Sequence, residues 1–473
     1  MPDEPAAATV QPDFDAVRTE FALPAEFPAD VLAEAARAAA DDTPTAGPGR
    51  RDATDVELVT IDPPGSKDLD QAVGIVAHGD GFRVYYAIAD VAAVVAPGGV
   101  LDDEVRRRGQ TVYLPDGAVP LHPPVLSEGA ASLLPDGPRP AVLWTIDLDA
   151  GGERTAVTVE RALVRSRAQL DYGGVQAELS AGRPLPAAIA LLPTVGRLRR
   201  ELAVARGAIE LELPEQEVVP DGAGGWTVRA RERVDVDTWN AEISLLTGTA
   251  AASLMLDAGT GVLRTLPAPD ADAVEALRAT AAALGVDWPA DVTPACFLAG
   301  LPLDTPHALA LRRAATTLLR GAGYAAFDGL DAPPPDDPGH GGIGAAYAHV
   351  TAPLRRLVDR YGTEVCLAVA AGEPVPGWVR AALPGLPAMM AASDTVAGKV
   401  DRACVDRTEA ALLVDRLDER VEVIVLREEP GEVYLLDPPV VARCHGELRL
   451  GERITARLTV AEPATGRVEF TAE

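Results

Sequence analysis

The stretch Thr60-Ile-Asp-Pro-Pro-Gly-Ser-Lys-Asp-Leu-Asp-Gln71 gathers three carboxylates around one turn. The run VELVTID (56–62) before and into it is apolar and β-branched, as a buried strand requires, and it ends on Asp62. Pro63-Pro64-Gly65-Ser66 forces a turn. Asp68 and Asp70 stand two apart beyond it, so strand alternation puts both on one face. AVGIVA (72–77) and FRVYYAIADV (82–91) read as the next two strands, joined through HGDG as a hairpin. Phe82, Val84, Tyr86 and Ile88 share one face of the second. With the loop returning into AVGIVA, Asp62, Asp68 and Asp70 converge at one end of a sheet.

Carboxylates so placed repel one another unless a divalent cation neutralises them. Mg2+ prefers such hard oxygen donors and fills its remaining positions with water and substrate phosphate, and Mn2+ can take the same ligands. Phosphodiester hydrolysis uses such ions to ready water and stabilise the leaving oxygen. On this segment alone a solvated acidic loop stands as an equal reading, because the chain holds 71 acidic residues. A phosphatase of the haloacid-dehalogenase type would need its D-x-D directly after an apolar strand, and here Asp68 follows Pro-Pro-Gly-Ser-Lys.

A second segment, Tyr347-Ala-His-Val-Thr-Ala-Pro-Leu-Arg-Arg-Leu-Val-Asp-Arg-Tyr361, reads as a helix start. Leu354, Leu357, Val358, Tyr361 and Val365 recur at helical spacing. Pro353 suits the first turn with Thr351 or Ala352 as cap, which puts Arg355 and Arg356 near a helix N-terminus. Free N–H groups there favour phosphate, and an arginine can hold a phosphate oxygen and stabilise developing charge. The competing reading pairs these arginines with Asp359 and Glu364 on an exposed helix face, with Arg356 or Arg360 so used even where Arg355 is functional.

The rest of the chain frames these two segments. At 473 residues, 48% hydrophobic and 24% charged, it has the composition of a globular protein of two or three domains. No apolar run reaches membrane-spanning length and MPDEPAAATV is not a secretory leader, so a cytoplasmic protein is expected. Cys296, Cys366, Cys404 and Cys444 lie far apart, which suggests neither disulfides nor a zinc site. Net charge is −29, which disfavours indiscriminate RNA coating but leaves room for a basic lining in one channel. A short helix is expected after Pro28 and a linker over TAGPGR (45–50). Longer helices are expected over AAIALLPTVGRLRRELAVAR (187–206) and TWNAEISLLTGTAAASLMLDA (238–258), with a loop around 331–344. Beyond about residue 405, RVEVIVL, GEVYLL, VVARCHG, ITARLTV and GRVEFTA suggest a small barrel of the OB type.

The two segments, in this order, resemble the signature of the RNase II/RNB family of exoribonucleases. Its T-I-D-x(5)-D-x-D-D string corresponds to residues 60–71, and its Y-A-x-x-T-S-P-[IL]-R-[RK] string to 347–356. AIADVAAVV, RGQTVYLPDGAVPLHPPVLSEGAASLLPDGPRPAV and NAEISLLTGTAAASLM match intermediate family segments in order. The resemblance implies a mixed α/β catalytic domain over 51–404, an extension over 1–50 and an OB-like, S1-type barrel over 405–473. It implies Asp62, Asp68 and Gln71 as metal ligands with Asp70, which also orients the nucleophile, and Arg355 on the scissile phosphate. It further implies Tyr113 stacked on a base, Tyr172 and Glu242 near the last nucleotide, and Thr351 and Arg356 at the RNA. Core packing is the alternative for both tyrosines.

Three departures accompany the resemblance. Gln71 stands where the family has a fourth acid, Ala352 replaces a serine, and the residues ahead of 51 are too few for the family's cold-shock domains. The family's second stacking aromatic has no identified counterpart. The expected activity is hydrolysis of single-stranded RNA from the 3′ end to 5′-mononucleotides, by a monomer using Mg2+ or Mn2+. The alternative is an RNA-binding or scaffold protein of the same fold with weakened catalysis.

Overall fold

The computed structural model describes residues 10–41, 49–211, 213, 215–231, 233–302, 305–329 and 332–473. Helices α1 (Phe14–Glu20) and α2 (Ala29–Asp41) precede the sheet. The second is the helix expected after Pro28; Thr45–Pro48 of the expected linker lie outside the described residues. Then come β1 (Arg51–Asp52), β2 (Leu58–Asp62), β3 (Gln71–His78), β4 (Gly81–Ala89), α3 (Val100–Arg108), and the ribbon β5 (Val112–Leu114) with β6 (Gly117–Val119). Strands β7 (Arg139–Leu148), β8 (Arg154–Val164) and β9 (Ser166–Asp171) complete a seven-stranded sheet in the order β1-β8-β7-β4-β3-β2-β9. Strand β2 runs antiparallel to β3 and parallel to β9, pairing Asp62 with Asp171.

Helices α4 (Tyr172–Ser180), α5 (Leu192–Ala205) and α6 (Asp235–Ala258) follow, with the hairpin β10 (Glu215–Pro220) and β11 (Trp226–Arg231) before α6. The inner face of α6, including Trp239, Ile243, Leu246 and Met255, joins Val73, Ile75, Tyr86, Trp144 and Ile146 in one continuous core. Burial of this apolar area is the main favourable term in folding. Strands β12 (Thr260–Thr265) and β13 (Gly323–Asp328) pair across a helical insertion of α7 (Ala271–Ala283), α8 (Pro294–Ala299) and α9 (Pro306–Ala315), which has its own core. Helices α10 (Leu357–Ala371), α11 (Gly377–Ala382) and α12 (Leu386–Leu413) lead to β14 (Arg420–Arg427), β15 (Glu432–Leu435), β16 (Val440–His445), β17 (Arg453–Glu462) and β18 (Arg467–Ala472). These five close into the expected barrel, in the order β14-β15-β16-β18-β17.

The structure corrects three expectations. Asp68 and Asp70 do not lie on a strand: 66–70 is irregular chain, and pairing begins only at Gln71. Buried Ser132 holds this stretch off the sheet, donating to the Lys67 carbonyl and accepting from the Leu69 N–H. The helix after Pro353 starts at Leu357, not at Pro353, so Arg355 and Arg356 are not in its first turn. Segment 355–357 instead bonds sideways to 109–111, Thr111 N to Arg355 O at 2.9 Å and Leu357 N to Gly109 O at 3.0 Å. The boundary expected at 404/405 falls inside α12, whose Ala410 and Leu413 belong to the barrel core. Gly248 of α6 permits one more close approach. A Cβ there would meet the Tyr347 ring at 2.1 Å and the Ala348 carbonyl oxygen at 2.7 Å, and Ala348 N donates to Gly248 O.

Candidate active site

Asp62, Asp68 and Asp70 all line one cavity of about 650 Å3, with Gln71, Tyr113, Tyr172, Arg231 and Arg355. Asp62 arrives at the end of β2. Its neighbour in register, Asp171, caps α4 by accepting from the Gly174 N–H, so β9 delivers Tyr172 beside Asp62. Burial, and then Asp68, push the Asp62 carboxyl up to about 6, and its Oδ2 has no hydrogen-bond partner. Asp70 is buried. Its Oδ1 accepts from the Leu354 N–H at 2.7 Å, and its Oδ2 has no hydrogen bond but stands 3.6 Å from Arg355 Nε. Burial raises the Asp70 carboxyl well above the usual carboxylate range, opposed by Arg355 and by the Leu354 N–H.

Asp68 accepts from the Tyr113 hydroxyl at 2.8 Å. Tyr113 is 51% exposed, on the ribbon β5–β6, which removes core packing as its explanation. Tyr172 is partly packed on the main core and faces the cavity, with Asn240 Nδ2 3.4 Å from its hydroxyl. Tyr172 is thus packed on the core on one side and open to the cavity on the other.

Gln71 uses both ends of its amide. Nε2 donates to the Thr351 carbonyl at 2.6 Å, and Oε1 accepts from the Tyr86 hydroxyl at 3.0 Å, whose oxygen lies 2.6 Å from Ser244 Oγ. The residue that departs from the family's acid thus fastens β3 to the arginine segment. Arg355 keeps 44% of its side chain exposed and reaches the meeting point of this cavity with a second of about 790 Å3. Arg356 is committed elsewhere: it forms a buried bidentate pair with Asp359, whose Oδ1 also accepts from the Ala352 N–H. The expected arginine–acid pairing is thus found for Arg356 with Asp359, in the interior rather than on an exposed face, while Arg360 and Glu364 take other partners, Asp102 and Arg161.

The second cavity lies between α5 and α6 and shares Gln71, Tyr172, Arg231 and Arg355 with the first. Glu242 faces it. Burial raises its carboxyl, opposed by Arg199 and Arg206. Tyr86, Ser244, Ser132 and Asp359 support the site without having been singled out from the sequence as site residues. Tyr86 was visible only as a core position, and nothing in its alternation pattern shows where its hydroxyl goes.

A hard divalent cation suits the donors, because two buried carboxylate oxygens, Asp62 Oδ2 and Asp70 Oδ2, have no hydrogen-bond partner. The grouping is looser than expected. Among the described residues no three His, Cys, Asp or Glu side chains form a set that could hold a metal by themselves. Asp68 is turned to Tyr113 and Asp70 to the Leu354 N–H.

Residues 50–365 match the RNB domain. The chain belongs to the RNB family. Residues 419–473 match the RNase II-type exonuclease C-terminal S1 domain, which is the closed barrel. This RNB protein is 30% identical over 326 residues to Ribonuclease R of Escherichia coli (strain K12), covering 66% of this chain and 39% of that protein. It is 26% identical over 503 residues to Ribonuclease R of Aquifex aeolicus, covering 96% of this chain and 69% of that one. The stretch shared with Ribonuclease R of Acidithiobacillus ferrooxidans covers 38% of the latter, so this chain spans well under half the length of several curated relatives it matches. Mycoplasma genitalium RNase R in complex with ribose-methylated single-stranded RNA has the same fold, with TM-score 0.86 and 19% identity over 97% of this chain and 77% of that one. So does yeast Ssd1, described as a pseudonuclease, at TM-score 0.71 and 17% identity over 87% and 53%. One RNB fold therefore serves both active and inactive proteins, and function has to be argued from the site.

Proposed function

We propose that this RNB protein is a metal-dependent exoribonuclease that hydrolyses single-stranded RNA from its 3′ end to 5′-mononucleotides. The observation that carries the reading is the pairing of buried Asp70 with half-exposed Arg355 at 3.6 Å, in a cavity that Asp62, Asp68 and Tyr113 also line. The 3′-end polarity follows the family resemblance. Mg2+ or Mn2+, when bound, would lower the pKa of a water and neutralise charge on the phosphate. Asp62, Asp68, Asp70 and the Gln71 carbonyl are the groups that would hold it.

The chain's own side chains supply the rest. Asp70, fixed by the Leu354 N–H, offers Oδ2 to orient the attacking water and take up its proton. Arg355 binds a non-bridging oxygen of the scissile phosphate and holds the charge that builds on it. Tyr113, exposed at the rim, gives a face on which a base stacks. Tyr172, Glu242 and Thr351 line the second cavity, where the last nucleotide sits; Arg356, also at its wall, acts there mainly by holding Asp359.

A second reading, an RNA-binding protein with weakened catalysis, is favoured by one observation: the Gln71 amide is already occupied at both ends and adds no charge to the cluster. Incubation with 5′-labelled unstructured RNA and Mg2+ or Mn2+, beside Asp70→Asn, separates the two. A ladder shortening from the 3′ end, absent in the variant, supports the nuclease. RNA binding without cleavage under either metal replaces it with the second reading.

A further inference from the structure

Among the described residues, the ribbon β5–β6 that carries Tyr113 pairs with no other strand. A two-stranded ribbon is marginal in isolation, so its position is set by whatever packs on it. Helix α1 does so. Phe14 and Val17 are buried against Val112, Leu114 and Val119, the ribbon residues around Tyr113. Arg18 forms a two-pronged bridge to Asp116 at the ribbon's turn, Nη1 to Oδ2 at 2.9 Å and Nη2 to Oδ1 at 2.6 Å.

The same short helix reaches two more walls of the cavity. Phe14 lies edge-on to Trp226 of β11, with ring centroids 5.4 Å apart, and Val218 of β10 packs into the same cluster. Val400 and Cys404 of α12 complete that cluster, and Arg407 of α12 donates to the Asp13 carbonyl and pairs with Glu20. All three partners contribute cavity lining: Tyr113 and Leu114, Gln216 and Val218, Asp401 and Cys404.

We infer that α1 is the positioning strut of Tyr113: through Phe14, Val17 and the Arg18–Asp116 bridge it holds the tyrosine ring where a base of the substrate stacks. The inference rests on the proposed ribonuclease function. Arg18 touches neither substrate nor Asp68; it acts through the ribbon.

The test is Arg18→Ala in the full chain, alone and combined with Tyr113→Ala, with Arg18→Lys as the conservative variant. KM for a single-stranded RNA should rise about fivefold in Arg18→Ala, the size of a coupling across one contact network. The kcat value should stay within about twofold, since no group at the scissile bond changes. In the Tyr113→Ala background the same change should add nothing, and Arg18→Lys should recover part of the loss. An unchanged KM, or effects that multiply fully with Tyr113→Ala, overturns the strut and leaves the nuclease reading standing. Amide hydrogen exchange over 112–119 in RNA-free protein supplies a second readout, and faster exchange confined to the ribbon in Arg18→Ala is expected. Unaltered protection there overturns the strut. Because that readout needs no RNA, a wild-type protein that neither binds nor cleaves RNA would sink the nuclease reading visibly and separately.

Discussion

The Asp70 carboxylate and the Arg355 guanidinium stand 3.6 Å apart, the acid buried and the base open to the cavity. Two segments far apart in sequence are brought together by the Leu354 N–H, which holds Asp70 Oδ1, and by the Gln71 amide, which holds the Thr351 carbonyl. Asp70→Asn keeps an oxygen for the Leu354 N–H and removes only the charge. Single-turnover cleavage should fall by about 100-fold or more, the usual scale for loss of a group acting in the transition state. RNA affinity measured by anisotropy should change far less. Equal losses in both would mean that Asp70 serves folding or binding instead.

Gln71 gives a prediction with the opposite sign to simple restoration of an acid. A carboxylate in Gln71→Glu would face the Thr351 carbonyl with no hydrogen to offer across 2.6 Å. A buried acceptor left unsatisfied costs about 1–3 kcal/mol. Urea unfolding of the metal-free variant should show that loss. A variant as stable as the parent would indicate that the amide is not a structural tie.

Gly248→Ala should be as damaging as a change at the reacting groups, although it touches none of them. The added Cβ would overlap Tyr347 and the Ala348 carbonyl, displacing the chain that leads to Thr351 and Arg355. Overpacking of this kind costs about 1–3 kcal/mol. Thermal unfolding together with cleavage rate checks it, and loss of activity without loss of stability would be the sign of a displaced Arg355.

Glu409 of α12, bonded to the cavity-lining residue Gln216, supplies a pH dependence from behind the cavity wall. It is buried where β10 and the barrel meet α12, and Gln216 Nε2 donates to it and to the Pro439 carbonyl. Burial raises its carboxyl from 4.5 to about 8, with only partial relief from Gln216. The folded state thus binds a proton more tightly than the unfolded chain. Stability from this group is fully present below about pH 4.5 and is lost as pH rises to about 8. Glu409→Gln should flatten that part of the stability profile measured by denaturant unfolding. An identical slope in the variant would reassign the dependence to other groups.

The barrel should add little to RNA affinity. Its aromatic residues Tyr434 and Phe470 are buried, and Arg420, Arg427, Arg457 and Arg467 are each paired with a glutamate. Single strands of about 5 and about 20 nucleotides should therefore bind with similar affinity, given the site sizes typical of such grooves. A strong preference for the longer strand in anisotropy titrations would point to a binding path over the barrel.

The strands around the acid cluster and in the barrel were legible as short apolar, β-branched runs bounded by turn residues, α5 from its helical period, and α6 from its length and its Ala- and Leu-rich composition. The barrel was readable from five short runs alone, and its closure needed only the pairings of β14 with β17 and of β16 with β18. What was not legible depends on contacts between distant segments. Pro353 suits a helix start, yet the helix waits until Leu357 because 355–357 finds partners in 109–111 instead. Asp68 and Asp70 satisfy strand alternation, yet Ser132 holds them off the sheet. Helix α1 left no mark strong enough to read, since seven residues show little periodicity and its value lies in what it touches.

Helix α12 runs unbroken for 28 residues, with Asp401 and Cys404 in the cavity wall and Ala410 and Leu413 in the barrel core. The two modules named by sequence similarity are therefore not interchangeable blocks. A chimera joined at residue 404 would sever one beam that serves as a wall for the first and as a plug for the second. An exchange of this barrel keeps its geometry only when the whole beam travels with it, and with the beam goes one side of the cavity.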